Sequence, residues 1–137
     1  MRAPARIPFF GNPEFFMHML MFVLDNPDYL DEVLDAWDEI GVSGVTIVES
    51  TGITRYRQAK LVGNPLMAGI NRLMNSAEEG HYTLFTIVKG EAVVRQCIEA
   101  SEKIVGNLLD PNTGVLAAWP LSIVKGVPDP QLNTEGA

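Results

Sequence analysis

Two histidines, one cysteine and an uneven spread of charge are the features of this 137-residue chain that could do chemistry. His18 and His81 are its only imidazoles and Cys97 its only thiol. Neither histidine has a cysteine or aspartate at metal-ligand spacing, so the pair does not read as a metal site. Both fall at or before expected strand starts, where an imidazole more often serves structure. Cys97 lies on the apolar stripe of an expected helix, the usual place of a buried, inert thiol. A single cysteine excludes an internal disulfide and any cysteine-based metal cluster, and it fits a reducing compartment. No G-x-S-x-G, P-loop or G-x-G-x-x-G occurs, and no serine has a histidine nearby in sequence. Nothing here points to a reaction, and the chain reads as a non-enzyme.

Charge is the stronger signal. Asp28, Asp31, Glu32, Asp35, Asp38 and Glu39 crowd one segment without a basic residue. Acidic residues near a helix start suit its dipole, and the rest reads as a solvated face. Their spacing does not converge on a cation. Farther along, Arg55, Arg57, Lys60 and Arg72 supply four of the ten basic residues, opposed only by Glu78 and Glu79. On a chain with net charge −7, a local basic segment tends to meet an anion. A solubilising loop, or one docked on the acidic helix, is the alternative.

The elements that must position these residues follow from hydropathy. Residues 17–24 are short and apolar on both faces, as in a buried strand. Asn26, Pro27 and Asp28 signal a helix start. Leu30, Val33, Leu34 and Trp37 then form one stripe, closed by Gly41. Residues 45–48 and 81–88 are strands. Residues 92–105 form a second amphipathic helix with Val94, Cys97, Ile98, Ser101 and Val105 on its inner side. Residues 106–114 form a loop that turns at Asp110, Pro111 and Asn112. Residues 115–124 are a last strand, with Pro120 favouring an edge or a bulge. The order is β-α-β-β-α-β, an α+β ferredoxin-like arrangement: an antiparallel sheet with two helices on one face. Residues 51–80 form a long connection where a hairpin would use about two to five residues. Its segment 53–60 has no strong periodicity, and 65–75 reads as a short amphipathic helix.

Around this domain, residues 17–127, lie an apolar, proline-broken arm (1–16) and a polar tail (128–137). The arm packs on its own domain or on a neighbouring subunit. Right-handed crossovers put both helices on one face of the sheet, yet the strands are apolar on both. The second face therefore calls for oligomerisation or for the arm folding back over it. Apolar residues at 47% and charged residues at 20% suit one globular domain. The acidic balance argues against nucleic acid. No apolar run approaches the roughly 20 residues of a membrane span, and no signal-peptide cleavage pattern occurs, which makes the cytoplasm the expected location.

Several stretches together resemble the PII superfamily of nitrogen-regulatory signalling proteins, over about residues 17–127. The stretch LDEVLDAWDEIG from Leu30 to Gly41 is similar to the family's first helix. GVSGVTIVESTG from Gly41 to Gly52 is similar to its G-x-x-G-(L/M)-T-(V/I) strand, which ends in a glycine before the long T-loop. The connection 51–80 falls where the T-loop belongs, residues 106–114 where the phosphate-cradling B-loop belongs, and Pro120 where the last strand carries a proline. The resemblance implies a ferredoxin-like homotrimer with sheets facing inward. It implies a small effector, an adenine nucleotide in many members, bound between subunits, and a T-loop that reports the effector to a regulated transporter or enzyme. By the same resemblance Thr46 contacts the nucleotide, Gly52, Ile53 and Thr54 form the T-loop base, and Gly106 and Gly114 bring backbone N–H groups to phosphates. Arg55, Arg57, Lys60 and Lys125 are the cationic candidates.

The departures are specific. Val115 follows Gly114 where the family has lysine, and Lys125 is the single basic residue where it has two arginines. A lone lysine cannot make the bidentate forks of arginine. These changes suit a divergent PII-like protein with another small anionic ligand. The alternatives are a trimeric metal-binding protein of the CutA type, disfavoured by scarce cysteine and histidine, a small ferredoxin-fold enzyme, and a purely structural trimer.

Overall fold

The computed structural model of the chain describes residues 15–61 and 81–127. The arm up to residue 14, Arg72, the helix expected at 65–75 and the tail 128–137 lie outside the described residues. Four strands, β1 (Met17–Leu24), β2 (Val45–Ser50), β3 (His81–Lys89) and β4 (Gly114–Pro120), form one sheet in the order β2-β3-β1-β4. Every neighbouring pair is antiparallel. Among the described residues three α-helices accompany them: α1 (Leu30–Ile40), α2 (Ile53–Leu61) and α3 (Glu91–Val105). This is the expected ferredoxin-like βαββαβ frame with one helix added after β2.

Local chemistry explains the element limits. Asn26 accepts a hydrogen bond from the Asp28 N–H at 3.0 Å and opens a 3-10 turn over Pro27–Tyr29 that leads into α1. Gly41 ends α1 in the left-handed region (φ 102°), donating to the Asp38 carbonyl, while Val42 donates to that of Trp37. At the arm's end the Phe16 carbonyl accepts from the Gly90 N–H and from His18 Nδ1, both at 2.9 Å. That contact ties the entry of β1 to the turn before α3.

Strand β1 alternates cleanly. On β1, His18, Leu20, Phe22 and Leu24 are buried beneath the helices, while Met17, Met19, Met21 and Val23 face the other way and are half-buried. Leu84 and Val88 of β3 continue the buried layer, completed by Val33 and Trp37 of α1 and Val94 and Cys97 of α3. Each such fully buried large side chain contributes about 1.5–3 kcal/mol of transfer free energy. Trp37 sits at the junction. Its ring meets Phe22 edge-on at 6.1 Å between centroids, and its Nε1 donates to the buried Ser101 Oγ on α3 at 3.0 Å. Burial also pushes the Cys97 thiol up from 9.0 to about 11, which keeps it protonated and inert.

One expectation is corrected. The last strand stops at Pro120 and does not reach residue 124. Proline offers no N–H to a ladder, and β1 begins opposite it, the final pairs being His18–Pro120 and a bond from the Leu121 N–H to the Met17 carbonyl. Residues 53–61 form a helix although they show no apolar stripe. Ile53 and Tyr56 stay 63% and 56% exposed, so α2 buries too little to leave a periodic signature.

Replacing Ser101 with Ala strands the buried Trp37 N–H without an acceptor and is expected to cost about 1–3 kcal/mol in urea denaturation. Gly114→Ala is expected to cost more, about 2–4 kcal/mol by the same measurement. Its φ of 137° disfavours a side chain, and a Cβ would lie 2.5 Å from the Val23 carbonyl oxygen.

Candidate functional site

The candidate residues fall into groups placed by different elements. Thr46 stands on β2, on the sheet face away from α1 and α3, opposite Phe85 in register, and is exposed. β2 ends at Ser50, and the Gly52 carbonyl accepts the first α2 hydrogen bond, from the Tyr56 N–H at 3.0 Å. Ile53 and Thr54 therefore open a helix. Arg55, Arg57 and Lys60 lie on that helix without an acidic residue among them. Arg57 and Lys60 are exposed, and the Lys60 Nζ lies 5.5 Å from the centre of the Tyr56 ring. The outcome is a short cationic helix at one edge of the sheet.

Gly106 and Gly114 belong to the other edge. Gly106 caps α3 with φ 93° and donates to the Glu102 carbonyl at 3.0 Å. The loop that follows satisfies its own donors. The Leu108 N–H donates to Glu102 Oε2 at 3.0 Å, that of Leu109 to Asn107 Oδ1 at 2.9 Å, and that of Asp110 to the Asn107 carbonyl at 2.9 Å. Gly114 lacks a Cβ because β1 passes so closely. The helix cap and the strand contact thus account for both glycines. Lys125 follows β4, which has by then carried the chain to the opposite end of the sheet, and it is exposed.

The ends of β1 and β2 and the starts of β3 and β4 share one end of the sheet, through the pairs Leu24–Gly114, Leu24–Tyr82 and Ser50–His81. Gly52 and Gly114 consequently lie at the same end but beside opposite edge strands. Three inter-strand steps of about 4.8 Å put those edges about 14 Å apart. One copy of the chain does not bring the two groups onto one small ligand.

One pair was not legible in the sequence. Asp25, just past β1, bonds His81, the first residue of β3, with Oδ1 3.0 Å from Nε2. Only the β1–β3 register makes residues so far apart in sequence neighbours. Beside them Ser50 Oγ donates to the His81 carbonyl at 3.2 Å, and Thr83 Oγ1 donates to Ser50 Oγ at 2.8 Å. Among the described residues no three of His, Cys, Asp and Glu converge as metal ligands. A shallow groove of about 560 Å³ lies along α3, with Arg95 and Lys103 alternating with Glu99 and Glu102. No described helix is long and apolar enough to cross a membrane.

The sheet face away from α1 and α3 is broadly apolar. Rows of facing residues run Thr46–Phe85–Met21–Ala117 and Val48–Thr83–Val23–Val115, with Ile87–Met19–Trp119 alongside. Val48, Val115 and Trp119 are 43%, 59% and 42% exposed in the single chain.

No protein-family model matches the sequence, and no curated protein matches it either. Solved structures do. GlnK of B. subtilis in complex with ATP is similar with a TM-score of 0.51 at 13% identity, over 82% of this chain and 86% of that one. A second structure of B. subtilis GlnK gives 0.49 at 13%, over 78% and 86%. CPII from Thiomonas intermedia K12, bound to ADP and bicarbonate, gives 0.47 at 17%, over 77% and 85%. The sheet order, the two long helices on one face and the likeness to GlnK together show that the chain has a PII-like, ferredoxin-type α+β fold.

Proposed function

We propose that this chain is a PII-like signalling protein that works as a homotrimer. It takes a small anionic effector, an adenine nucleotide in the first instance, in clefts between subunits. It reports the effector to a regulated partner protein, a transporter or an enzyme, through the segment that begins with α2. The carrying observation is that Gly52 with the start of α2, and Gly114 with the loop before it, lie at one end of the sheet but beside opposite edges, about 14 Å apart. A ligand touching both groups needs two copies. The apolar face across β1–β4 supplies a reason for copies to assemble, since the residues along it stay partly exposed until something covers them.

In this reading Thr46, Gly52, Ile53 and Thr54 of one subunit face Gly106 and Gly114 of its neighbour, Arg55, Arg57 and Lys60 supply positive charge toward the anion, and Lys125, beyond the far end of β4, is a further cationic contact. The signal is a change in the order of the T-loop segment on binding. The ATP held by the B. subtilis GlnK structure supports testing nucleotides first. The inward-turned N–H groups of residues 108–110 mean that an anion there must displace Glu102 and Asn107 or bind elsewhere, which keeps other small anions in the test. The protein acts in the cytoplasm without catalysing a reaction.

Isothermal titration against ATP, ADP, AMP, cyclic nucleotides and bicarbonate is expected to show at least one ligand that binds. Arg57→Glu is expected to weaken it about five- to tenfold, the loss of one partly screened charge contact. Light scattering is expected to give three times the 15.0 kDa chain mass. Silence across the whole panel, or a clean monomer, overturns the reading.

A further inference from the structure

We infer that the Asp25–His81 pair is a positioning clasp that sets where α2 leaves the sheet. The imidazole is held on two sides. Its Nε2 faces Asp25 Oδ1 at 3.0 Å. A carboxylate only accepts, so that nitrogen carries the hydrogen. The adjoining Cε1–Nδ1 edge of the ring lies toward Gly52: a Cβ built on that glycine would sit 3.6 Å from His81 Cε1 and 3.8 Å from Nδ1. Gly52 is also the residue whose carbonyl receives the first hydrogen bond of α2. The ring is thus wedged between the end of β1 and the root of α2.

The clasp also joins the two ends of an insertion. Gly52 precedes residue 53 and His81 follows residue 80, so 28 residues leave and return at a single point. The backbone of His81 is tied to β2 independently by Ser50 Oγ, which Thr83 Oγ1 in turn supports. The β2–β3 hydroxyl bonds hold the strand ends together. Asp25 adds the third strand, β1, and does so through the His81 ring, which lies beside Gly52. About a fifth of the His81 side chain and a third of that of Asp25 are exposed, so the pair is only partly screened by water. Through the clasp the rigid centre of the sheet fixes the direction in which Tyr56, Arg57 and Lys60 are displayed. This holds whether or not the chain binds a nucleotide.

Amide hydrogen exchange of the full chain, followed by NMR, reads the clasp at the Tyr56 N–H, with the Val42 N–H as a distant reference bonded to the Trp37 carbonyl. Asp25→Ala and His81→Phe are each expected to speed Tyr56 exchange about tenfold, the loss of one charge-assisted hydrogen bond, and to leave Val42 unchanged. His81→Gln, which restores an N–H donor, is expected to stay within about twofold of the parent chain. Should either variant fail to fold, Asp25→Asn, equal in size but uncharged, is expected to speed Tyr56 alone by a smaller factor. Tyr56 exchange unaltered in these variants overturns the inference, and so does an equal acceleration of Tyr56 and Val42, which would signal only general loosening.

Discussion

The Trp37 side chain is the contact on which the rest of the architecture turns. It belongs to α1, stacks edge-on against Phe22 of β1 and donates its one hydrogen to Ser101 of α3. A buried indole has to satisfy that N–H, and a buried serine hydroxyl has to find a partner; here each solves the other's problem. The bond therefore fixes more than an area of apolar surface could. It sets the spacing and the rotation of two helices that are 64 positions apart in the chain at this contact. With α1 and α3 locked, the sheet face carrying Leu20, Phe22, Leu24 and Leu84 is closed.

Closing one face leaves the other to define the protein's outward behaviour. Met19, Met21, Val23, Phe85, Ile87 and Trp119 lie on the far side of the same strands. Two long helices cover one apolar face of this sheet and leave the other partly exposed among the described residues. The edge strands show it too. β2 is exposed along both faces at Ile47 and Val48, and Val115 of β4 is exposed in turn. Gly52 and the start of α2 sit beside one of these edges and Gly114 beside the other, so the exposed edges and the candidate ligand residues follow from one strand order.

Much of this was legible in the residues. The Leu30, Val33, Leu34, Trp37 stripe and Gly41 gave α1 its limits, and the double-sided hydropathy of 17–24 marked a buried strand. Pro120 marked an edge strand because an interior strand would need its missing N–H. Other features left no local trace. α2 buries no continuous face, so its periodicity is faint. Residues 121–124 are apolar enough to read as strand, yet pairing with β1 ends at the bond from the Leu121 N–H to the Met17 carbonyl. Gly106 and Gly114 read equally well as a ligand cradle, but a helix cap and the approach of the Val23 carbonyl give them separate structural reasons.

By itself the sequence determined what depends on neighbours a few positions away. Helix stripes, caps, strand alternation and the contrast between an acidic helix and a basic segment are local patterns, most of them repeating every two to four residues. Tertiary structure alone decided what depends on strand order. It placed Asp25 against His81, set Ser101 against Trp37, and put the cationic helix and the 106–114 loop at one end of the sheet beside opposite edges. Contacts between residues dozens of positions apart follow from register and crossover, and register is fixed only when every strand has found its face and its neighbour.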